Sequence, residues 1–165
     1  MSLSVKKESE TESEDPPGPL LTFATLYNTH TGELVVLDAS SPTQERFDLL
    51  VSDRTTGAQV SMAPKLLELL RSLAAPRPAS RVEIVSGYRS AKLNEVLRKK
   101  GHNVASHSQH SLGHALDFRW IGLGPLELKK EIESRGWVGG IGTYEAPTDR
   151  FVHADVGPDR RWKGK

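Results

Sequence analysis

Two histidines and one aspartate have the residue types and the sequence setting of a zinc site. His110 stands seven positions before Asp117 in SQHSLGHALDFRW, and His153 lies near the carboxyl end of the chain in FVHADV. Zinc binds imidazole nitrogens and carboxylate oxygens, and a catalytic site combines three protein ligands with a fourth position open to water. These three residues therefore predict one zinc ion per chain, bound at an open site.

An open zinc site of this kind is suited to the hydrolysis of amide bonds. The ion polarises the carbonyl group as a Lewis acid and makes water a nucleophile near neutral pH. The reaction also requires a general base for the water proton and a cation that binds a charged end of the substrate. Asp155, two residues beyond His153, and Arg89 in SGYRS are the candidates for these two roles.

The candidate ligands lie in two segments where polar and apolar residues alternate. Side chains on a strand point alternately to its two faces. Asp117 alternates with apolar residues in ALDFRW, and His153 and Asp155 do so in FVHADV. Both segments are therefore predicted to be strands that turn an apolar face to the core and the candidate ligands to the opposite face.

Other apolar patterns predict the elements that support these strands. Between Leu20 and Asp38, two β-rich runs flank a turn at Gly32, which is typical of a hairpin. RVEIVSGYR has the pattern of a strand that ends in a glycine turn, and the glycines of GWVGGIGTY are interpreted as tight turns. Apolar residues spaced by three and four predict helices over 43–50, 62–73, 91–100 and from Pro125 to Gly136.

Length and composition indicate a globular protein with one folded domain. The chain has 165 residues, of which 36% are hydrophobic and 26% charged, and no apolar run reaches the ~18 residues of a membrane span. It contains no cysteine, which excludes disulfides and thiolate ligands. A bound metal would therefore be held by His, Asp or Glu side chains.

The distribution of charge separates the amino-terminal segment from the rest. Residues 1–15 hold five acidic residues and two lysines, whereas the remainder holds 16 acidic residues and 20 lysines or arginines. No Lys/Arg cluster is interleaved with aromatic residues, so nucleic-acid binding is not predicted. We expect residues 1–19, which end in PPGP and lack the apolar core of a signal peptide, to be a disordered acidic leader, and residues 20–165 to fold as a monomer.

Five motifs in a fixed order resemble a known enzyme superfamily. The pattern SxHxxGxAxD, matched by Ser108, His110, Gly113, Ala115 and Asp117 and followed by a later histidine in an apolar strand, resembles the zinc D-alanyl-D-alanine carboxypeptidase superfamily. The ordered set LYNTHTGE, SGYRS, SQHSLGHALDF, GGIGTY and FVHADVGPDRRW is most similar to its periplasmic murein endopeptidases, with a distant likeness to the hedgehog signalling domain. The resemblance spans residues 20–162.

This resemblance implies a zinc metallopeptidase that cleaves peptide bonds in peptidoglycan stem peptides or cross-bridges, in the periplasm or elsewhere outside the cytoplasm. It implies His110, Asp117 and His153 as the zinc ligands. Arg89 would grip a substrate carboxylate, because a guanidinium group binds a planar anion with two parallel hydrogen bonds. The implied fold is a small single α+β domain with a central, mainly antiparallel sheet and helices packed on one face.

The general base departs from the pattern of the superfamily. Its members carry Glu or Asp three residues before the last histidine, where this sequence has Arg150. We therefore predict Asp155 as the base, with Asp149 and Glu145 as the alternatives.

The roles of the remaining polar and aromatic residues are predicted from their neighbours. Ser108 and His107, next to the zinc motif, are predicted to contact the substrate together with Arg89. His30 in the hairpin turn is interpreted as a surface residue, and Trp162 as part of a charged C-terminal edge.

Three other functions remain open at this point. The first is a zinc D,D-carboxypeptidase, the second a cell-wall binding domain that keeps its zinc without catalysis, and the third a scaffold without metal. The presence of both Arg89 and an acidic residue beside His153 favours an enzyme. Whether the cleaved bond joins two D-centres or an L- and a D-centre depends on the shape of the pocket and stays open.

Overall fold

A mixed β-sheet runs through the part of the chain that the computed structural model describes, residues 22–102 and 108–164. Its seven strands, counted over those residues, are β1 Ala24–Asn28, β2 Leu34–Leu37, β3 Arg81–Ser86, β4 Ala115–Trp120, β5 Gly140–Ala146, β6 Asp149–Asp155 and β7 Arg160–Lys163. They lie in the order β2-β1-β3-β4-β6-β5-β7. The β1–β3 and β5–β7 pairs are parallel and the other neighbours are antiparallel.

Four α-helices within the same described residues begin where the sequence offers capping groups or proline. They are α1 Gln44–Leu50, α2 Pro64–Ala74, α3 Ala91–Lys99 and α4 Pro125–Ser134. The hydroxyl oxygens of Thr43 and Ser90 accept hydrogen bonds from backbone N–H groups in the first turns of α1 and α3. Proline is the first residue of α2 and α4, where its fixed φ suits a helix start and no N–H is needed.

The hydrophobic core lies between the helices and the apolar face of the sheet. Helix α4 packs against β4, β5 and β6, and α2 packs against α1, α4 and β2. Buried side chains from α2 and from the central strands fill this layer, among them Leu66, Leu70, Phe118 and Val152. Helix α3 lies beside the opposite face, where its residue Leu97 borders the cavity described below.

The predicted α+β architecture with a mainly antiparallel sheet is confirmed. The hairpin around Gly32 and the four predicted helices are present within a few residues of their expected bounds. The interpretation of the GWVGGIGTY glycines as turns was wrong in part, because Gly140 and Gly142 lie inside strand β5. The division into a leader at 1–19 and a folded domain from residue 20 stays a prediction, since residues 1–21 lie outside the described part.

The helices of the described chain are short. The longest, α2, has 11 residues, and none is both long and apolar enough to cross a bilayer.

Candidate metal centre and active site

His110 is positioned by a tight turn that precedes strand β4. The residue lies in a short 3-10 helix, Gln109–Leu112, whose first N–H groups are capped by the Ser108 hydroxyl, 3.1 Å from the backbone nitrogen of His110. Gly113 ends the helix with a φ of 72°, a left-handed conformation that glycine adopts without strain. A Cβ atom on Gly113 would lie 2.8 Å from a Val60 methyl group, so the turn also requires the small residue for packing.

Asp117 and His153 are positioned by the pairing of β4 with β6. The two residues are direct partners in the antiparallel register, which places their side chains side by side on one face of the sheet. Strand β3 contributes a bulge at Val85, next to Asp117, where the chain leaves the sheet and enters the loop of Gly87 and Arg89.

The three predicted ligands converge on one point. The Asp117 Oδ1 atom lies 3.1 Å from Nε2 of His110 and 2.8 Å from Nδ1 of His153. One ligand atom from each residue lies within 4.8 Å of the others, and all three side chains are buried. Atoms at this spacing can reach a common ion at the ~2.0–2.2 Å that zinc requires.

The hydrogen bonds behind the imidazole rings hold them in the tautomers that a metal needs. The carbonyl oxygen of Gly87 can only accept, so Nδ1 of His110, 2.8 Å away, carries a proton and leaves Nε2 free. Nε2 of His153 donates in the same way to Oδ2 of Asp155 at 2.7 Å, which leaves Nδ1 for the metal. The residues present therefore fit a zinc ion, and the donor set is the one that zinc prefers.

The charges around the site shift the pKa values of its groups in the protein before a metal binds. Burial opposes the charged form of His153, but its hydrogen bonds to the carboxylates of Asp117 and Asp155 and their negative charges outweigh it and raise the pKa of His153 to about 9. Burial also opposes the charged form of Asp117, yet His110 and His153 hold its pKa well below the usual range. Burial lowers the pKa of His110.

An open cavity of about 780 Å³ borders the three ligands on the polar face of the sheet. Arg89 lines it, the residue as a whole is 9% exposed, and its Nη2 lies 3.4 Å from the Ser108 hydroxyl. The buried Nε of Arg89 has no hydrogen-bond partner among residues 22–102 and 108–164. Arg89 thus presents unused donors beside the metal ligands, as a carboxylate-binding residue would, whereas His107 lies outside the described residues and its role stays a prediction.

The loop that carries Arg89 is held by a residue that sequence reasoning missed. Oδ2 of Asp53 accepts a hydrogen bond from the Ser90 backbone N–H at 2.7 Å, and Oδ1 accepts from the N–H groups of Thr55 and Thr56. Burial of Asp53 opposes its charge, but these hydrogen bonds prevail and lower its pKa to about 2. The segment DRTTG, in which an aspartate precedes an arginine, two threonines and a glycine, is a signal for such a turn.

Trp162 also belongs to the cavity, which corrects its interpretation as part of a charged edge. It lines the cavity, its ring centre lies 5.1 Å from that of His153, and its Nε1 donates to the Tyr144 hydroxyl at 3.1 Å. Gly142, its partner on β5, leaves room for the indole, which a Cβ atom would overlap. Only the parallel pairing of β5 and β7 brings these residues together, and no local pattern encodes it.

The predicted general base, Asp155, lies behind His153 and not in the cavity. It is 0% exposed, and its oxygens accept from Nε2 of His153 and from the N–H groups of Gly140 at 3.0 Å and Gly157 at 2.9 Å. Asp149 borders the cavity, whereas the carboxylate of Glu145 lies 3.5 Å from Lys163 Nζ. The identity of the base stays a prediction, and this geometry favours a positioning role for Asp155.

Comparison with known proteins agrees with this site. The family model described as peptidoglycan L,D-endopeptidase MepK, a peptidase family, matches residues 22–162. The chain belongs to this family. The predicted membership of the murein endopeptidase branch is thereby confirmed, and peptidases of this kind depend on zinc in general, in accord with the His-Asp-His triad.

Individual relatives cover most of the chain. The probable peptidoglycan L,D-endopeptidase MepK of Haemophilus influenzae is 32% identical over 170 residues, which are 99% of this chain and 90% of that protein. The peptidoglycan L,D-endopeptidase MepK of Escherichia coli K12 is 34% identical over 145 residues, 84% of this chain and 78% of that protein. No solved structure matches the chain.

Proposed function

We propose that this protein is a zinc-dependent peptidoglycan endopeptidase that hydrolyses the bond between an L- and a D-configured residue. The observation that carries the proposal is the convergence of two imidazole lone pairs and the Asp117 carboxylate beside an open cavity. The type of bond comes from the names of the relatives, which are L,D-endopeptidases. These names favour the L,D bond over the D,D bond, a choice that the sequence left open.

His110, Asp117 and His153 would hold the metal. A zinc ion bound there supplies a Lewis acid for the scissile carbonyl and lowers the pKa of water. Arg89 binds a carboxylate of the substrate and so aligns the peptide across the three ligands, and the Ser108 hydroxyl orients the guanidinium group. In the net reaction, water adds across the C–N bond and yields a carboxylate and an amine.

We assign different roles to the two aspartates of strand β6. Asp155 fixes the tautomer of His153 and does not touch the substrate, because it is fully buried and its oxygens are engaged by three donors. Asp149 borders the cavity on the same strand face as His153 and is the proposed proton acceptor. Asp149 is four positions from His153 along the strand, about 13 Å, so the proton would pass from the attacking water to Asp149 through further water molecules.

The place of action follows from the substrate. Peptidoglycan lies outside the cytoplasmic membrane, so we propose that the protein acts as an exported, periplasmic enzyme. A monomer suffices, because one chain supplies all three candidate ligands; the monomeric state stays a prediction.

Digestion of purified sacculi tests the proposed function. The zinc-loaded protein is expected to release fragments whose masses and new termini identify cleavage at L,D bonds, and His110→Ala is expected to lose both zinc and activity. Cleavage confined to D,D bonds would contradict the bond assignment. Binding to sacculi without any release, by protein that holds one zinc per chain, would instead indicate a non-catalytic cell-wall domain.

A further inference from the structure

The cavity extends beyond Arg89 to a second basic group. Arg54, in the connection between α1 and α2, and His30, in the hairpin turn after β1, line this end of the cavity. His30 is exposed and hydrogen-bonded, as predicted for a surface residue in a turn, and its side chain also borders the same space as the candidate metal ligands. The two residues therefore extend the site past the edge of strand β3.

The guanidinium group of Arg54 has no acidic partner within the described ranges, where no ion pair involves it. Its neighbour in the chain, Asp53, uses both carboxylate oxygens for backbone N–H groups. Arg160, at the opposite end of the cavity, is different: it packs over Trp162 and lies 3.6 Å from Asp155. Arg54 is thus a cavity arginine whose charge the described protein does not balance.

The contact with His30 leaves most donors of Arg54 unused. Nε2 of His30 lies 2.7 Å from the carbonyl oxygen of Val85, which can only accept, so this nitrogen carries a proton. It therefore cannot also accept from Nη1 of Arg54, although the two atoms are 2.9 Å apart. The remaining ring nitrogen, Nδ1, is 3.4 Å from Nη1 and offers at best one weak bond to a group with five N–H donors. Nη1 of Arg54 therefore lies against the imidazole ring without a strong acceptor there, and the other donors of the guanidinium group stay available to a ligand.

Arg54 and Arg89 also lie close enough to repel each other. Burial is the largest cause of the lowered pKa of Arg89; the negative charge of Asp117 opposes the lowering, and the positive charge of Arg54 adds to it. Of the two aspartates that line the cavity, Asp117 already contacts two imidazoles, and Asp149 lies on β6, on the far side of β4 from this end. This end of the cavity is therefore positive beyond what one substrate carboxylate at Arg89 would neutralise.

We propose that Arg54 and His30 form a second anion subsite, which binds another carboxylate of an acidic peptide substrate while Arg89 binds the first. This rests on the proposed peptidase function and narrows its substrate class to peptides with two carboxylates. In sheet order, β1 and β4 are separated by β3, so the two strands lie about 10 Å apart. An extended peptide covers that distance in about three residues.

Matched peptides test the subsite. An L,D-linked synthetic peptide is prepared with a carboxylate beside the scissile bond and a second one three residues away, and its twin carries a primary amide at the second position. The wild-type enzyme is expected to cleave the di-acid with a kcat/KM about tenfold higher than the amide, as for one charge-assisted hydrogen-bonded pair. Arg54→Gln is expected to remove this preference, and so to lower cleavage of the di-acid about tenfold more than cleavage of the amide twin, and Arg54→Lys to keep part of it.

Arg150→Gln is the matched control. Arg150 is exposed on β6 and lines a separate cavity on the helix side of the sheet, so the same loss of charge there is expected to keep the tenfold preference. Calorimetry of the metal-free protein with the same two peptides gives a readout without turnover, and Arg54→Gln is expected to weaken only di-acid binding.

The outcomes separate the two proposals. Absence of any peptide cleavage by the wild-type enzyme, with Arg54-dependent binding of the di-acid, would overturn the proposed function and support the subsite. Cleavage of both twins with equal kcat/KM, or an equal effect of Arg54→Gln on both, would overturn the subsite and leave the proposed function standing.

Discussion

Replacement of Asp155 by asparagine distinguishes a positioning residue from a general base. The aspartate accepts three hydrogen bonds: Oδ1 takes the N–H groups of Gly140 and Gly157, and Oδ2 takes Nε2–H of His153. Asparagine has a single oxygen for these donors. If its amide group faced Gly140 and Gly157, one buried and one partly buried N–H group would lose their acceptor, at about 1–3 kcal/mol for the buried one.

The asparagine oxygen is therefore expected to stay at the glycines, with its NH₂ group facing His153. Nε2 of His153 must then accept, so the ring proton moves to Nδ1, the atom 2.8 Å from Asp117 where the metal would bind. Loss of an outer partner of this kind weakens metal binding about 10- to 100-fold, or ~1.4–2.7 kcal/mol. We expect a weakening in this range for Asp155→Asn, with turnover restored in part by excess zinc.

The assay is competition between the metal-free protein and a chromophoric zinc chelator near neutral pH, with melting curves to verify folding. Asp149→Asn is the control: it removes the same charge from the same strand, but Asp149 is exposed and lies outside the ligand cluster. It is expected to bind zinc like the wild type and to lose turnover. Wild-type zinc affinity in a folded Asp155→Asn protein without turnover would refute the positioning role and make Asp155 the base.

Three further predictions concern the metal, the substrate and the fold. Because the pKa of His153 is about 9, its Nδ1 proton must leave when zinc binds, so the apparent zinc affinity should rise about tenfold per pH unit between pH 6 and 8; a flat competition profile would contradict this. Arg89→Lys keeps the charge but loses the two-pronged geometry, so kcat/KM on L,D-linked peptides should fall about tenfold or more while zinc content, measured by elemental analysis, stays at one per chain. Gly113→Ala meets both a positive φ of 72° and the Val60 methyl, so calorimetry should show a loss of about 1–2 kcal/mol in unfolding free energy; an unchanged melting temperature would argue against the strained turn.

The sequence predicted those parts of the site that local patterns encode. Alternation in ALDFRW and FVHADV placed Asp117 and His153 on polar strand faces, and the structure pairs them. Alternation also placed Asp155 on the same face as His153, but it could not show that the carboxylate turns behind the imidazole toward Gly140.

The parts that the sequence did not predict depend on contacts between distant segments. Trp162 enters the cavity only because β7 pairs with β5 in a register that sets it beside Gly142. Arg54 and His30 meet because a helix connection and a hairpin turn reach the same end of the sheet, 24 residues apart in the chain. Such contacts are set by topology and packing, and the residue pattern of a single segment does not predict them.

Asp117 and His153 are paired residues on β4 and β6, so a metal can bind to both only when the two strands pair in the correct register. A shift of this pairing by one residue would move every β6 side chain to the other face of the sheet. The imidazole of His153 would then point into the hydrophobic core between the sheet and the helices. A misregistered chain would then lack a ligand and could not be activated, however much zinc surrounded it. A hydrolase that cuts a load-bearing polymer would in this way stay inert until its two middle strands were correctly aligned.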